Sequence, residues 1–224
     1  MGRIARVVAV GIPHHVTQRG NNRAAVFFDD DDRHYYRQTL VKYCAEFKLE
    51  VWAYCLMTNH VHILAVPQRL YSLAMAVGRT NLIYTQYINR KYPRSGRLWQ
   101  NRFFSCPIDR EPYLWSVARY IETNPVRARI VRKPWNYPWS SARHHVDGAP
   151  DPVCSEPAWL ARNERGEYRK YLTESSDFET SLIRRATSSG RPLGDLRFAG
   201  MLEKKLHRAL IPKPAGRPRK RRRK

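Results

Sequence analysis

Acidic side chains are scarce in this sequence. Its 224 residues hold 19 Asp and Glu against 41 Lys and Arg, a formal net charge of +22. A chain so unbalanced repels itself when compact, and the imbalance favours a polyanionic partner. The tail "KPAGRPRKRRRK" (213–224) supplies eight of the basic residues, and the rest still carries 33 basic against 19 acidic side chains. The body is therefore basic in its own right. Nucleic acid is the expected partner, rather than a membrane surface or charge that is merely solvated. Cysteine is also sparse. Cys44, Cys55, Cys106 and Cys154 show no C-x-x-C or other metal-binding spacing, which points to free thiols in a reducing compartment. No run of 18 apolar residues is present to cross a membrane. The stretch "RIARVVAVGIP" is too short for a signal peptide and lacks a cleavage site. No internal repeat is visible. A soluble, cytoplasmic protein is expected.

What is present is enough for a core: 42% hydrophobic residues, with 13 Tyr and 6 Trp. "PHHVTQR" (13–19) alternates as a strand does, and "GNNRA" follows as a loop. "DDDDRHYYRQTLVKYCAEFKL" (29–49) reads as a helix with acids at its positive N-terminal end. The four Asp are alternatively a metal site. "LEVWAYCLM" (49–57) and "HVHILAVP" (60–67) flank the short break "TN" and predict a hairpin. "LYSLAMAVGRTNLIYTQYINRKY" (70–92) has helical apolar spacing, and "RLWQNRFFSCPI" (97–108) reads as a fourth strand. "REPYLWSVARYIETN" (110–124) is a helix closed by Asn-Pro, with Pro125 opening a short second helix capped by Asn124. The order β-α-β-β-α-β-α is that of a ferredoxin-like α+β fold, with helices on one face of an antiparallel sheet. It is expected to fill residues 1–135. A helical C-terminal extension over 136–211 follows, with helices near 157–173, 177–188 and 194–209, and then a disordered basic tail over 212–224.

Residues i and i+2 of a strand face the same way, so His60 and His62 project side by side while Val61 and Ile63 face oppositely. Two neutral imidazoles so placed can bind one divalent cation. Alone, an H-x-H pair is more often solvent-facing or simply hydrogen-bonded. Tyr120 and Asn124 are four apart on a helix and share a face. Tyr120 offers a phenol oxygen as a nucleophile, and Asn124 a carbonyl oxygen as a third ligand. Each has a plainer reading, core aromatic and helix cap. Taken together they make a chemistry: a weak phenol nucleophile attacks a phosphodiester whose oxygens a metal neutralises. The phosphotyrosine so formed conserves the bond energy needed for rejoining. The sequence shows no obvious general base.

The set "LMTNHVHILAVP", "LWQNRF", "YIETNPVRARIV" and "YPWSS" closely resembles the REP-associated tyrosine transposases of bacteria, relatives of the single-tyrosine insertion-sequence transposases in the HUH endonuclease superfamily. The N-terminal "PHHVTQRGNNRAAVFFDDDD" fits too, so the likeness covers roughly residues 10–145 and continues more loosely through "SGRPLGDLRF". The resemblance implies the HUH endonuclease fold, His60 and His62 as metal ligands, and Tyr120 as the nucleophile of a 5′-phosphotyrosine link that releases a 3′-hydroxyl. It places Asn124 where relatives carry a polar third ligand. The implied cofactor is Mg²⁺ or Mn²⁺. The implied substrates are single-stranded DNA hairpins of REP palindromes, bound in the nucleoid-associated cytoplasm. Many minimal relatives end soon after the catalytic helix, whereas this chain runs on for about 80 residues, which leaves monomer or homodimer open. Two competing readings are a domesticated hairpin-binding protein without turnover and a histidine-triad nucleotide hydrolase. The second would need a third histidine where Leu64 stands.

Arg79, Arg90, Lys91, Arg94, Arg97 and Arg102 gather around the second helix and fourth strand as candidate phosphate contacts. Trp99 and Phe103 stand as candidate stacking platforms for unpaired bases or as core residues. The tail's Gly-Arg-Pro, with Arg217 and Arg219, resembles an AT-hook for the A·T minor groove. It reads equally as an unspecific basic tail.

Overall fold

The run "HVHILAVP" has almost no polar interruption, which is how a strand buried on both faces reads. The computed structural model, which describes residues 6–155, 159–174 and 176–211, places it inside a four-stranded antiparallel sheet. The strands are β1 (His14–Arg19), β2 (Leu49–Met57), β3 (His60–Pro67) and β4 (Phe104–Pro107), in the order β2-β3-β1-β4. Val61, Ile63 and Ala65 are fully buried on one face of β3, and Leu64 and His62 are buried on the other. Helices α1 (Asp30–Glu46) and α2 (Ser72–Lys91) cover the Ile63 face, where the Arg37 guanidinium lies 5.8 Å from the Tyr54 ring. Helix α3 (Arg110–Glu122) covers the His62 face. The fold is α+β with the expected element order. Helices sit on both faces rather than one, because neither face of β3 is polar enough to meet water.

The four aspartates start a helix. Asp29 Oδ1 accepts from the Asp32 amide at 2.9 Å, and Asp32 Oδ2 accepts from the Asp29 amide at 3.3 Å. Lys91 closes on both carboxylates at 2.6 and 2.9 Å, tying the end of α2 to the start of α1. The acids thus satisfy orphan amides and a lysine. The hairpin β2–β3 forms as the sequence predicts, with Met57 paired to His60 across Thr58 and Asn59. Strand β4 is shorter than predicted. Residues 97–103 form a loop, with Gly96 and Asn101 at positive φ and the Trp99 ring turned into the core. A break at Thr123 separates α3 from the short α4 (Asn124–Arg127). Asn124 does not cap α4; its amide donates backwards to the carbonyls of Tyr120 (2.9 Å) and Ile121 (3.2 Å).

Among the described residues four further α-helices follow: α5 (Ala142–Asp147), α6 (Arg165–Tyr171), α7 (Asp177–Ser189) and α8 (Leu196–Leu206). Helix α7 matches the predicted stretch 177–188 to within a residue, α6 and α8 are shorter than theirs, and α5 has no counterpart among the predicted helices. Trp139, Val146, Trp159, Tyr168, Leu172 and Ile183 join the same hydrophobic core as the strands. At the junction, Glu122 of α3 is fully buried and accepts from Ser141 Oγ (2.5 Å), His145 Nδ1 (2.6 Å) and Tyr168 OH (2.9 Å). Its carboxylate therefore holds α3 to the segments that follow it. All four cysteines are free, and burial pushes the Cys44 and Cys106 thiols up to about 12. Among the described residues no helix is long and apolar enough to cross a membrane. The tail, with Arg217 and Arg219, lies outside the described residues.

Candidate active site

Antiparallel register decides which side chains share a face. Thr17 pairs with His62 and Arg19 with His60, so the odd residues of β1 join the two histidines. His15, one pleat further on, joins them as well. The His60 and His62 rings lie 5.0 Å apart and nearly perpendicular. Helix α3 brings Tyr120 over them, its ring 5.4 Å from His62 and 5.6 Å from His15 in edge-on contact. Tyr120 is 7% exposed and borders a cavity of about 760 Å³. Asn124 lines the same cavity. With its amide nitrogen held by two helix carbonyls, its carboxamide oxygen is directed the other way.

Each histidine of the pair has one ring nitrogen engaged. His60 Nδ1 donates to Asn59 Oδ1 at 2.6 Å, and His62 Nδ1 meets His15 Nε2 at 2.9 Å. The Nε2 atoms of His60 and His62 are left for the cavity. An outer oxygen acceptor on the far nitrogen is the usual support of a metal-ligating imidazole. Burial, together with Arg19 and Arg127, pushes His60 down to about 4. Burial, then the neighbouring His15 and His60, and Arg127 and Arg19 beyond them, hold His62 well below the ordinary imidazole value. Burial alone pushes His15 down to about 3. All three are neutral at physiological pH, the state in which imidazole can ligate. His15 is not a third ligand, since its Nδ1 is also engaged, by Thr187 Oγ1 at 2.7 Å. Among the described residues no three His, Cys, Asp or Glu converge as a metal cage. The His60 and His62 imidazoles and the Asn124 carboxamide line one cavity and are of the donor types that a divalent cation accepts.

Several site residues carry no sequence signal of their own. Arg127 lies with its guanidinium 4.5 Å from the Tyr120 ring centre, and its Nη2 donates to the Tyr120 carbonyl at 2.6 Å. The spacing of seven from Tyr120, two helical turns, is the one hint of it. Arg19, Arg23, Arg127 and Arg184 line the cavity, giving it a cationic rim. The arginines named from sequence gather elsewhere. Arg97 and Arg102 line a groove of about 950 Å³ beside α2, together with Arg6 and Gln18. Gln18 belongs to the sheet face opposite His62. Arg79 and Arg90 are exposed on α2, and Arg94 donates to the Arg97 carbonyl at 3.3 Å. Lys91 is committed to Asp29 and Asp32. Trp99 is 7% exposed, packs near Tyr36 and Tyr84, and donates to the Asn81 carbonyl at 3.3 Å. Phe103 is buried and carries the Arg6 guanidinium over its ring. Both aromatics are buried in the core and border the groove that Arg97 and Arg102 line.

The family model "Transposase IS200 like" matches residues 9–124, which hold β1 to β4, the histidine pair and Tyr120. A candidate REP-associated tyrosine transposase of Haemophilus influenzae is 27% identical over 121 residues, covering 50% of this chain and 66% of the relative. The alignment thus spans just under two thirds of that protein's length. Among solved structures, a REP-associated tyrosine transposase bound to a REP hairpin aligns with a TM-score of 0.57 at 18% identity, over 70% of this chain and 92% of that one. It shares the fold. A candidate transposase from Deinococcus radiodurans aligns less closely, with a TM-score of 0.38 at 18% identity, over 58% of this chain and 92% of the other. The family match takes in more than half of the chain and the whole sheet that carries the site, and the chain belongs to the IS200-like transposases.

Proposed function

We propose that this chain is a REP-associated tyrosine transposase: a divalent-metal-dependent endonuclease and strand transferase that cuts and rejoins single-stranded DNA at REP-type hairpins. The observation that carries the reading is the meeting of Tyr120, His60 and His62 in one arginine-rimmed cavity. The hairpin substrate is supported by the related proteins named above, one of them bound to a REP hairpin. In this mechanism the Tyr120 oxygen attacks the scissile phosphorus, and the O3′ of the upstream nucleotide leaves as a 3′-hydroxyl. The downstream strand stays on Tyr120 as a 5′-phosphotyrosine. Attack by a 3′-hydroxyl on that phosphorus reverses the step and rejoins the strand. A bound Mg²⁺ or Mn²⁺ supplies charge neutralisation of the phosphate. His60, His62 and the Asn124 oxygen would hold it. Arg19, Arg23, Arg127 and Arg184 offset the remaining phosphate charge. The protein acts in the cytoplasm, on the nucleoid.

A single-stranded DNA carrying a REP-type hairpin tests this. With Mn²⁺ or Mg²⁺ the strand should be cut once near the hairpin foot, and EDTA should stop it. Equal cutting of an unstructured strand, or cutting in EDTA, would overturn the reading.

A further inference from the structure

We propose that Thr187, on α7 and far outside the family-matched segment, is a positioning residue for the histidine pair: through His15 it fixes which nitrogen of His62 carries the proton. The inference rests on reading His62 as a ligand.

The argument runs along one chain of hydrogen bonds. The Thr187 hydroxyl donates to the Ile183 carbonyl at 2.8 Å, an acceptor only. A hydroxyl has a single proton, so Thr187 Oγ1 can only accept from its other partners. His15 Nδ1, 2.7 Å away, must therefore be the donor. The Cys106 thiol at 3.4 Å is a second donor to the same oxygen. His15 is 1% exposed and sits among Thr187, His62, Tyr120 and Cys106, with no carboxylate in contact. It is neutral there, so its Nε2 carries a lone pair. Across the 2.9 Å contact, His62 Nδ1 must then donate. The ring planes are 11° from parallel and the centroids 5.1 Å apart. That spacing is the nitrogen–nitrogen distance plus a ring radius on either side, an in-plane edge-to-edge bond rather than a face stack. With its proton committed to Nδ1, a neutral His62 turns an Nε2 lone pair to the cavity.

Helix α7 is placed to do this. Its Arg184, Thr187 and Ser188, at helical spacing, all line the cavity. Helix α7 thereby forms a wall of the site and sets its donor chemistry. The isosteric Thr187→Val leaves the His15 Nδ1–H without its acceptor. The rings are then free to adopt the opposite tautomers, in which His15 Nε2 donates and the His62 proton moves to Nε2.

The test is tautomer assignment by nitrogen NMR of histidine-labelled, metal-free protein, beside Mn²⁺ titration of the same samples. Wild type should show His62 protonated at Nδ1. Thr187→Val should shift the proton toward Nε2 and weaken Mn²⁺ binding by about 10- to 100-fold, and Thr187→Ser should restore both. A wild-type His62 protonated at Nε2, or a Thr187→Val protein unchanged in tautomer and affinity, overturns the proposal. If Thr187→Val does not fold, the wild-type tautomer decides alone. Neither measurement uses DNA. A wild type that never forms a tyrosine adduct strikes the functional reading and leaves the tautomer result standing.

Discussion

Among the described residues no acidic side chain pairs with His60 or His62. Their neighbours are His15, Arg19 and Arg127, and all of these, together with burial, work against protonation. This has a consequence for stability. The unfolded chain takes up protons on these histidines near pH 6.5, whereas the folded chain holds His14 and His60 down to about 4 and His15 to about 3. Between those values the unfolded state binds more protons, so stability falls as pH drops. Above about pH 6.5 the effect vanishes. Each such buried histidine should cost about 1.4 kcal/mol at about pH 5.5, read as urea midpoints at several pH values. His15→Asn should flatten the curve below pH 6.5, and an unaltered slope would contradict the burial account. The histidine pair and Tyr120 were legible from spacing and residue type. His15 was not, because its partner His62 lies 47 residues away and only the β1–β3 register unites them.

Elements show the same division between local and distant information. The hairpin, α1, α2 and α3 are written in periodicity and turn residues, and the sequence places them within a few residues. The fourth strand is shorter than its sequence suggests. The stretch read as a strand spans twelve residues, yet Asn101 at φ 58 and the inward Trp99 leave four residues in the ladder. The role of Glu122 was illegible, since Ser141, His145 and Tyr168 come from 19, 23 and 46 residues downstream. Removing that carboxylate leaves the His145 and Tyr168 donors buried and unpaired, while Ser141 keeps the Tyr54 carbonyl as an acceptor. Glu122→Ala should therefore destabilise the fold by about 3 kcal/mol or more, measured by denaturant titration. A loss under about 1 kcal/mol would mean that the junction does not depend on it. At the start of α1, Asp32→Ala removes the acceptor of two amides and should cost about 1 kcal/mol. The same titration reads it, and no change in midpoint would show that the cap is dispensable.

At the scale of the molecule two basic-lined hollows lie on opposite faces of the sheet: the cavity with its four arginines, and the groove with Arg6, Arg97 and Arg102. Composition revealed the excess of positive charge; only the sheet order reveals how it divides. If the groove follows the DNA backbone, Arg97→Ala should weaken hairpin binding evenly across sequences. It should also lower the slope of log affinity against log salt by about 0.7, and an unchanged slope would place the DNA elsewhere. On the proposed function, the Tyr120 oxygen forms the covalent bond to DNA. The most direct measurement of this is a denaturing gel of labelled REP-type hairpin DNA incubated with wild type and with Tyr120→Phe, in Mn²⁺ and in EDTA. The account predicts a protease-sensitive shifted band in wild type with Mn²⁺ alone, and none from Tyr120→Phe, which should still bind the hairpin. A shifted band that persists in Tyr120→Phe would contradict it.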